Sequence, residues 1–349
     1  MLMRIADRVE VEYRSPDELA GWNEREWRDV LALVRLSSTA AVIDAGGVPV
    51  IQVAVPVLGT AATVFEVWRT AGSLESGRDG RVRHRSNGAV LFGSVEVSER
   101  DAPPDLAEGT PLEWATALAY REIIHCLGAR GFPHLWRVWN YLPEINREAA
   151  GSERYRLFNV ARQRAFREAA PAIGPHIPAA CALGLAPQSP LVVYFLAGGH
   201  AAMPIENPRQ VSAYRYPPQY GPASPMFSRA TLAGADSGAT LLLSGTSSIV
   251  GHRTVHAGDV VAQTRETLVN IRALLEEASR RVAGVRFAPE QLVYKVYLRY
   301  ARDLHACAVE LRSALGPEVP IVYLRADICR SDLLVEIEAV GHCRQVPGV

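Results

Sequence analysis

The chain repeats itself, and the repeat limits the folds open to it. Gly93 in LFGS has a counterpart in Gly245 of LSGT, and LWRVWNYL (135–142) has one in VYKVYLRY (293–300). PLVVYFLAGG (190–199) pairs with PIVYLRADIC (320–329) at a shorter offset. Each copy reads as a strand–helix–strand–helix–strand unit of roughly 130–150 residues, and an internal repeat of this kind governs the choice of fold. In the first copy the strands are 88–99 and 134–146, with helices over 112–127, closed by Gly128, and 152–170, stopped by Pro171. In the second, 238–252, 291–300, 320–328 and 333–341 read as strands, and 261–281 and 302–315 as helices. The longer of these carries Leu268, Ile271, Leu275 and Ala278 on one side. Two further strand-like runs, 48–58 and 62–70, precede the first copy. The predicted class is α+β: two tandem halves, 1–185 and 186–349, each a mixed or mostly antiparallel sheet with helices on one face.

Charge and composition narrow the function. Lys+Arg and Asp+Glu both number 37, so the chain has no net charge to offer a nucleic-acid backbone. A small anionic substrate needs only a local cluster of arginines. The five cysteines are scattered with no CxxC pair, which points to a reducing cytoplasm and not to a disulfide framework. No run of about 18 apolar residues is present, so no membrane span is expected.

Several residues could carry chemistry. In LLVEIEAVG (333–341) Glu336 and Glu338 share one strand face, which by default is a solvated edge; a partly desolvated carboxyl there could instead donate a proton near neutral pH. Arg162 and Arg164 lie in a basic helix that could equally be a solvated surface, and Arg215 is interleaved with Tyr214, Tyr216 and Tyr220 in a proline-stiffened loop. These arginines are candidate carboxylate clamps, because a guanidinium fork matches both oxygens. Cys329, followed by Arg330, reads by default as a small apolar group. His252 and His256 lack an evident third ligand and read as surface histidines; no metal is expected. AGGH (197–200) does not match a phosphate loop, and no nucleotide cofactor is expected.

The second half resembles the RidA/YjgF family through AQTRETLVNIRALLEEA (262–278) and LLVEIEAVG. Those proteins are a sheet with two helices that trimerises and binds ligands between subunits, so the resemblance implies pseudo-trimeric packing within one chain. The arginine that the deaminase members carry fifteen residues before the first glutamate of VEIEAV is Ile321 here, which speaks against imine deamination. From about residue 50 to 340 the chain is similar to the chorismatases. The likeness rests on FEVWRTAG (65–72), NYLPEIN (140–146), ERYRLFNVARQRAF (153–166), ENPRQVSAYRYPPQYGPASPMFSRA (206–230), SGTSSIVGH (244–252), GDVVAQTRETLVNI (258–271) and ADICRSDLLVEIEAV (326–340).

That resemblance implies chorismate as substrate, Glu336 as general acid, and Cys329 as the mark of the branch that forms 3-hydroxybenzoate. Ser247 falls where subfamilies carry different small residues. The expected substrate-binding set is Arg162, Arg164, Tyr214, Arg215, Tyr216, Ser247 and Arg330. The enzyme is expected to need no cofactor, to bind neither nucleic acid nor membrane, and to act as a cytoplasmic monomer with pseudo-oligomeric halves. Two alternatives stand beside this reading: a chorismate hydrolase that releases 3,4-dihydroxycyclohexa-1,5-dienoate, and a non-catalytic ligand-binding protein of RidA type.

Overall fold

The computed structural model describes residues 8–41, 43, 45–173, 177–234, 239–282 and 286–343. Three large sheets follow one another along the chain. The first holds β1 (Val9–Arg14), β2 (Val30–Ser37), β3 (Val50–Val53) and β4 (Thr63–Thr70) in the order β1-β4-β2-β3. The second holds β5 (Glu75–Asp79), β6 (Val82–Ser86), β7 (Val90–Val97), β8 (His134–Pro143), β9 (Ala179–Leu185) and β10 (Leu191–Gly198), in the order β9-β8-β10-β7-β6-β5, and the two-residue strand Asp327–Ile328 adds to its β9 edge. The third holds β11 (Met203–Ile205), β12 (Ala230–Ala233), β13 (Ala239–Leu243), β14 (Leu292–Leu298), β15 (Ile321–Arg325) and β16 (Val335–Cys343), in the order β15-β14-β16-β13-β12-β11. The α+β class and the duplicated mixed sheets stand. β8 runs parallel to β9 as β14 does to β15, and every other neighbour within each half is antiparallel.

The repeat, however, is phased differently from the sequence expectation. Residues 191–198 form β10, whose counterpart is the central strand β16, while the strand 321–325 answers to β9. All four are short apolar runs, which sequence pattern cannot tell apart. The expected division at 185/186 therefore falls between two strands of one sheet. Two helix ends also move. α1 (Pro111–Arg130) passes through Gly128 and closes at Gly131, whose φ of 75° lets its N–H turn back to Leu127 O. α2 (Arg154–Ile173) carries Pro171 in its last turn.

The first sheet is a third copy that the sequence hides. Its β2 and β3 are parallel, and β4 is antiparallel to both β2 and β1, as β10 is to β8 and β7. Between β1 and β2 only the short turns Pro16–Ala20 and Glu24–Trp27 remain where the other units carry a long helix. α1 and α2 cover the outer face of the second sheet, burying Ile123, Leu127, Phe158 and Phe166. α3 (Val260–Arg281) and α4 (Leu304–Leu315) cover the third through Ile271, Leu274, Leu275 and Leu311. Among the described residues no helix is long and apolar enough to cross a membrane.

The three inner faces share one core, in which Trp68, Phe92, Trp139, Tyr194 and Tyr297 are packed. At its centre lie four charges. Lys295 Nζ is 2.9 Å from Glu338 and also pairs with Glu66, while Arg137 pairs with the other oxygen of Glu338. Trp68 Nε1 donates to Glu66 at 2.5 Å, and Tyr297 OH donates to Glu338 at 3.1 Å. Glu66 comes from the first sheet, Arg137 from the second, and Lys295 and Glu338 from the third. None of the four is more than 4% exposed. Removing Lys295 takes from Glu66 its paired cation and leaves Glu338 with Arg137 alone. Breaking a buried ion pair on one side costs about 3–5 kcal/mol, so Lys295→Met should lose stability of that order in urea denaturation. A loss below about 1 kcal/mol, the scale of an exposed ion pair, would show that the cluster does not hold the sheets together.

Candidate active site

In β16 the side chains alternate: Val335, Ile337 and Ala339 pack towards the helices, and Glu336 and Glu338 point inwards. Glu338 is taken up by Lys295 and Arg137. Glu336, two residues nearer the start of the strand and opposite Tyr297, opens into a cleft between the second and third units. The segment 244–246 fixes its surroundings. Ser244 Oγ donates to Ser228 O at 2.6 Å and accepts from the Ala180 N–H at 2.9 Å; Gly245 N–H donates to Ala180 O at 3.2 Å. Thr246 and Ile337 exchange backbone hydrogen bonds of 2.8 and 2.9 Å. A Cβ at Gly245 would collide with the Glu336 carboxyl, so glycine is what lets the acid lie there. Gly93 in the first copy clears Phe195 in the same way.

The cleft has a volume of about 270 Å³. Glu153, Tyr155 and Arg156, at the start of α2, form one wall; Tyr216, Tyr220, Phe227 and Arg229 form the other; Gly245, Ser247, Cys329, Arg330 and Glu336 form the floor. Burial, reinforced by the negative charge of Glu338, pushes the Glu336 carboxyl up to about 8. Arg137, the Ser247 hydroxyl and Arg229 oppose that shift without cancelling it. Burial works against ionisation of Glu338 as well, but Lys295 and Arg137 outweigh it and hold that carboxyl below its ordinary range. Two glutamates on one strand face are thus separated into a proton donor and a fixed anion. The Cys329 thiol is pushed up to about 12 by burial and then by Glu336, so it is neutral.

Two cations frame the acid. Arg229 donates from Nη2 to Val211 O at 2.8 Å and to Tyr216 OH at 2.7 Å, while its Nε is buried without a partner among the described residues. Arg330 lies over Tyr220 at 4.1 Å and donates from Nη1 to His252 O at 2.9 Å; its Nη2 has no partner among the described residues. Buried donors left over in this way mark where an anion would be held. The turn that carries Cys329 and Arg330 is tied down by Arg299, which donates to Ile328 O, Arg330 O and Leu333 O at 2.8–3.1 Å.

Of the expected residues, Glu336, Cys329, Arg330, Tyr216 and Ser247 meet in this cleft. Arg164 does not: it stands two residues from the inward-facing Arg162, hence on the opposite, exposed side of the helix. Arg162 is buried behind the wall, donating to Asn159 Oδ1 at 3.0 Å over the Phe158 ring. Arg215 is exposed, because Ala213 anchors the short 3₁₀ turn and the arginine two positions on points outward, beside Tyr214. Arg229 lines the cleft where Arg215 does not. Sequence reasoning missed Arg229, Arg156 and Gly245, although Arg229 ends a long unusual segment that already stood out. His252 is not a plain surface residue: it packs against Tyr220, whose hydroxyl donates to the His252 carbonyl at 2.6 Å.

Comparison with known proteins places this geometry. Residues 66–197 match the family described as chorismatase FkbO/Hyg5-like, N-terminal. A 3-hydroxybenzoate synthase of Streptomyces hygroscopicus is 37% identical over 292 residues, which cover 80% of this chain and 82% of that protein. A chorismatase of Streptomyces rapamycinicus is 38% identical over 284 residues, covering 79% and 81% respectively. The crystal structure of a chorismatase superposes with a TM-score of 0.82 at 32% identity, over 96% of this chain and 98% of that chain.

The state of Glu336 has a measurable signature in stability. Its carboxyl binds a proton more tightly in the folded chain than at its ordinary value of 4.5, so that contribution is complete below about pH 4.5 and is lost as pH rises through about 8. Glu336→Gln cannot ionise. Denaturation at pH 5 and pH 9 should therefore show the variant gaining on the wild type with rising pH. A difference that stays constant would mean that the carboxyl is ionised throughout.

Proposed function

The chain belongs to the chorismatase family, and from that premise and the shape of the cleft we propose that it converts chorismate to 3-hydroxybenzoate and pyruvate. The observation that carries this reading is a buried, protonated Glu336 set between two arginines with spare donors. Chorismate is a dicarboxylate with a cyclohexadiene ring and an enol ether. Arg229 and Arg330 supply its carboxylate clamps, and Tyr216, Tyr220 and Phe227 supply an apolar slot for the ring.

The weak point of an enol ether is its terminal methylene carbon. Glu336 gives its proton to that carbon, and the side chain becomes an oxocarbenium ion. The substrate's own C4 hydroxyl then displaces the side chain at C3, which leaves as pyruvate carrying the ether oxygen. The proton freed from the C4 hydroxyl returns to the Glu336 carboxylate, the resulting epoxide opens at its C4–O bond, and the C3 hydrogen is lost as a proton while the C3 oxygen takes one up, giving 3-hydroxybenzoate. No water is consumed, and every proton and oxygen comes from the substrate and Glu336, so the chemistry calls for no metal or cofactor. Cys329 occupies the floor beside Glu336 with a neutral thiol and keeps water from the activated carbon. One observation favours the hydrolase instead: the Ser247 hydroxyl is buried on the cleft floor beside the Glu336 carboxyl and could hold an attacking water. We also propose that the protein works as a cytoplasmic monomer. Three packed units within one chain and free thiols at Cys126, Cys181, Cys307 and Cys329 support that reading.

Glu336→Gln should lower kcat by about 10²–10⁴-fold, the range of general acid catalysis, with binding of chorismate retained. Arg229→Ala and Arg330→Ala should each raise KM by about 10–100-fold, since a hydrogen bond to a charged group is worth roughly 1.5–3 kcal/mol. Arg164→Ala and Arg215→Ala should leave KM unchanged. Steady-state kinetics on the five variants separates these cases; an inert Arg330→Ala would remove the clamp.

The branch is read from products. In H₂¹⁸O, with pyruvate trapped at once as lactate, wild type should release 3-hydroxybenzoate and unlabelled lactate. Cys329→Ala should consume chorismate at a similar rate but divert part of it to dihydroxycyclohexadienoate and labelled lactate. A barrier difference of about 1.4 kcal/mol shifts such a ratio tenfold. Wild type yielding mainly the diene diol would make the enzyme a hydrolase.

A further inference from the structure

At the edge of the second sheet farthest from the cleft, three side chains converge. Asp79 ends β5, His84 lies in β6, and Cys126 comes from the last turns of α1; a ligand atom of each lies within 4.8 Å of the others. The imidazole of His84 is 4% exposed and lies across its strand partner Gly77, where a Cβ would be 2.6 Å from its Cε1. Glycine at that place lets the ring fold inwards. Its Nε2 pairs with Asp79 Oδ2 at 3.1 Å, while Nδ1 is buried with no hydrogen-bond partner among the described residues. A buried imidazole nitrogen left without a partner is uncommon and asks for an explanation.

The donor set supplies one. Imidazole nitrogen, thiolate sulfur and carboxylate oxygen are the ligands of zinc-type ions, and three such ligands leave a fourth position open. A tetrahedron with Zn–S of about 2.3 Å and Zn–N of about 2.0 Å sets these ligand atoms roughly 3.3–3.5 Å apart, so groups lying within 4.8 Å of one another need close by at most about 1.5 Å. We propose that Asp79, His84 and Cys126 form a binding site for a divalent zinc-type metal, which fastens the β5–β6 hairpin to α1. Arg130 is the rival cation. It donates to both oxygens of Asp79 at 2.6 and 2.7 Å, but its side chain is 44% exposed and free to swing into solvent. A metal in this cup therefore competes with Arg130.

The test is titration with Co²⁺ of the full chain after dialysis against a chelator. Wild type should develop the thiolate-to-cobalt charge-transfer absorption in the near ultraviolet. Cys126→Ala and His84→Ala should lose it, Cys329→Ala should keep it, and Arg130→Ala should bind more tightly. Zn²⁺ should raise the Tm of the wild type and leave that of His84→Ala unmoved, which guards against a variant that merely folds poorly. No charge-transfer absorption in wild type, or an absorption that survives Cys126→Ala, overturns the site.

Discussion

Four buried charges set the relation of the three units. Two acids and two bases meet there, and although Lys295 and Glu338 pair within the third unit, each also pairs across a unit boundary: Lys295 with Glu66 of the first and Glu338 with Arg137 of the second. Each charge taken alone out of water is costly, so the favourable arrangement exists only when all three sheets are docked. Apolar packing of Trp68, Trp139 and Tyr194 supplies the area, but it is tolerant of small slips. The ion cluster is not, because a displaced partner leaves a buried charge unmatched. It acts as a register pin for the whole chain.

The same cluster prepares the chemistry. Glu336 and Glu338 differ by two positions and face the same way, yet one is protonated and the other ionised near neutral pH. Lys295 and Arg137 stabilise the charge of Glu338, and that fixed charge in turn disfavours a second one at Glu336. The scaffold's anchor is therefore also a source of the acid's proton affinity. A carboxyl in water could not hold a proton at the pH where the cell works; one placed beside a permanent anion in a dry cleft can.

Much of this was legible in the residues, and the remainder was not for identifiable reasons. The duplication was visible because large apolar and aromatic residues recur in LWRVWNYL and VYKVYLRY. The alternation of LLVEIEAVG put both glutamates on one face, but alternation is blind to what packs on that face; only the family resemblance singled out Glu336. The first sheet escaped notice because it kept the strands of the unit and lost the long helices that make a repeat conspicuous. Arg215 and Arg229 illustrate the same limit in a loop. Arg215 is flanked by tyrosines and Arg229 lies nine residues past Tyr220, and which one turns inward depends on a single 3₁₀ turn and on the start of β12, where Arg229 is 4% exposed. Loop direction is a tertiary property.

Three similar units could in principle offer three equivalent clefts, so the presence of Glu336 in one of them calls for a reason. In the second sheet Tyr194 stands opposite Trp139 as Glu336 stands opposite Tyr297. That tyrosine is fully buried and stacked on Trp139 with ring centroids 4.7 Å apart, so the position serves packing there. Among its described residues the first unit has no long helix to furnish a wall of the kind that Tyr155 and Arg156 furnish from α2. Duplication supplied the geometry three times, and divergence kept an acid where a helix start, a glycine and two arginines could serve it. The other two units became the support that holds Glu338 in place, and through it the proton on Glu336.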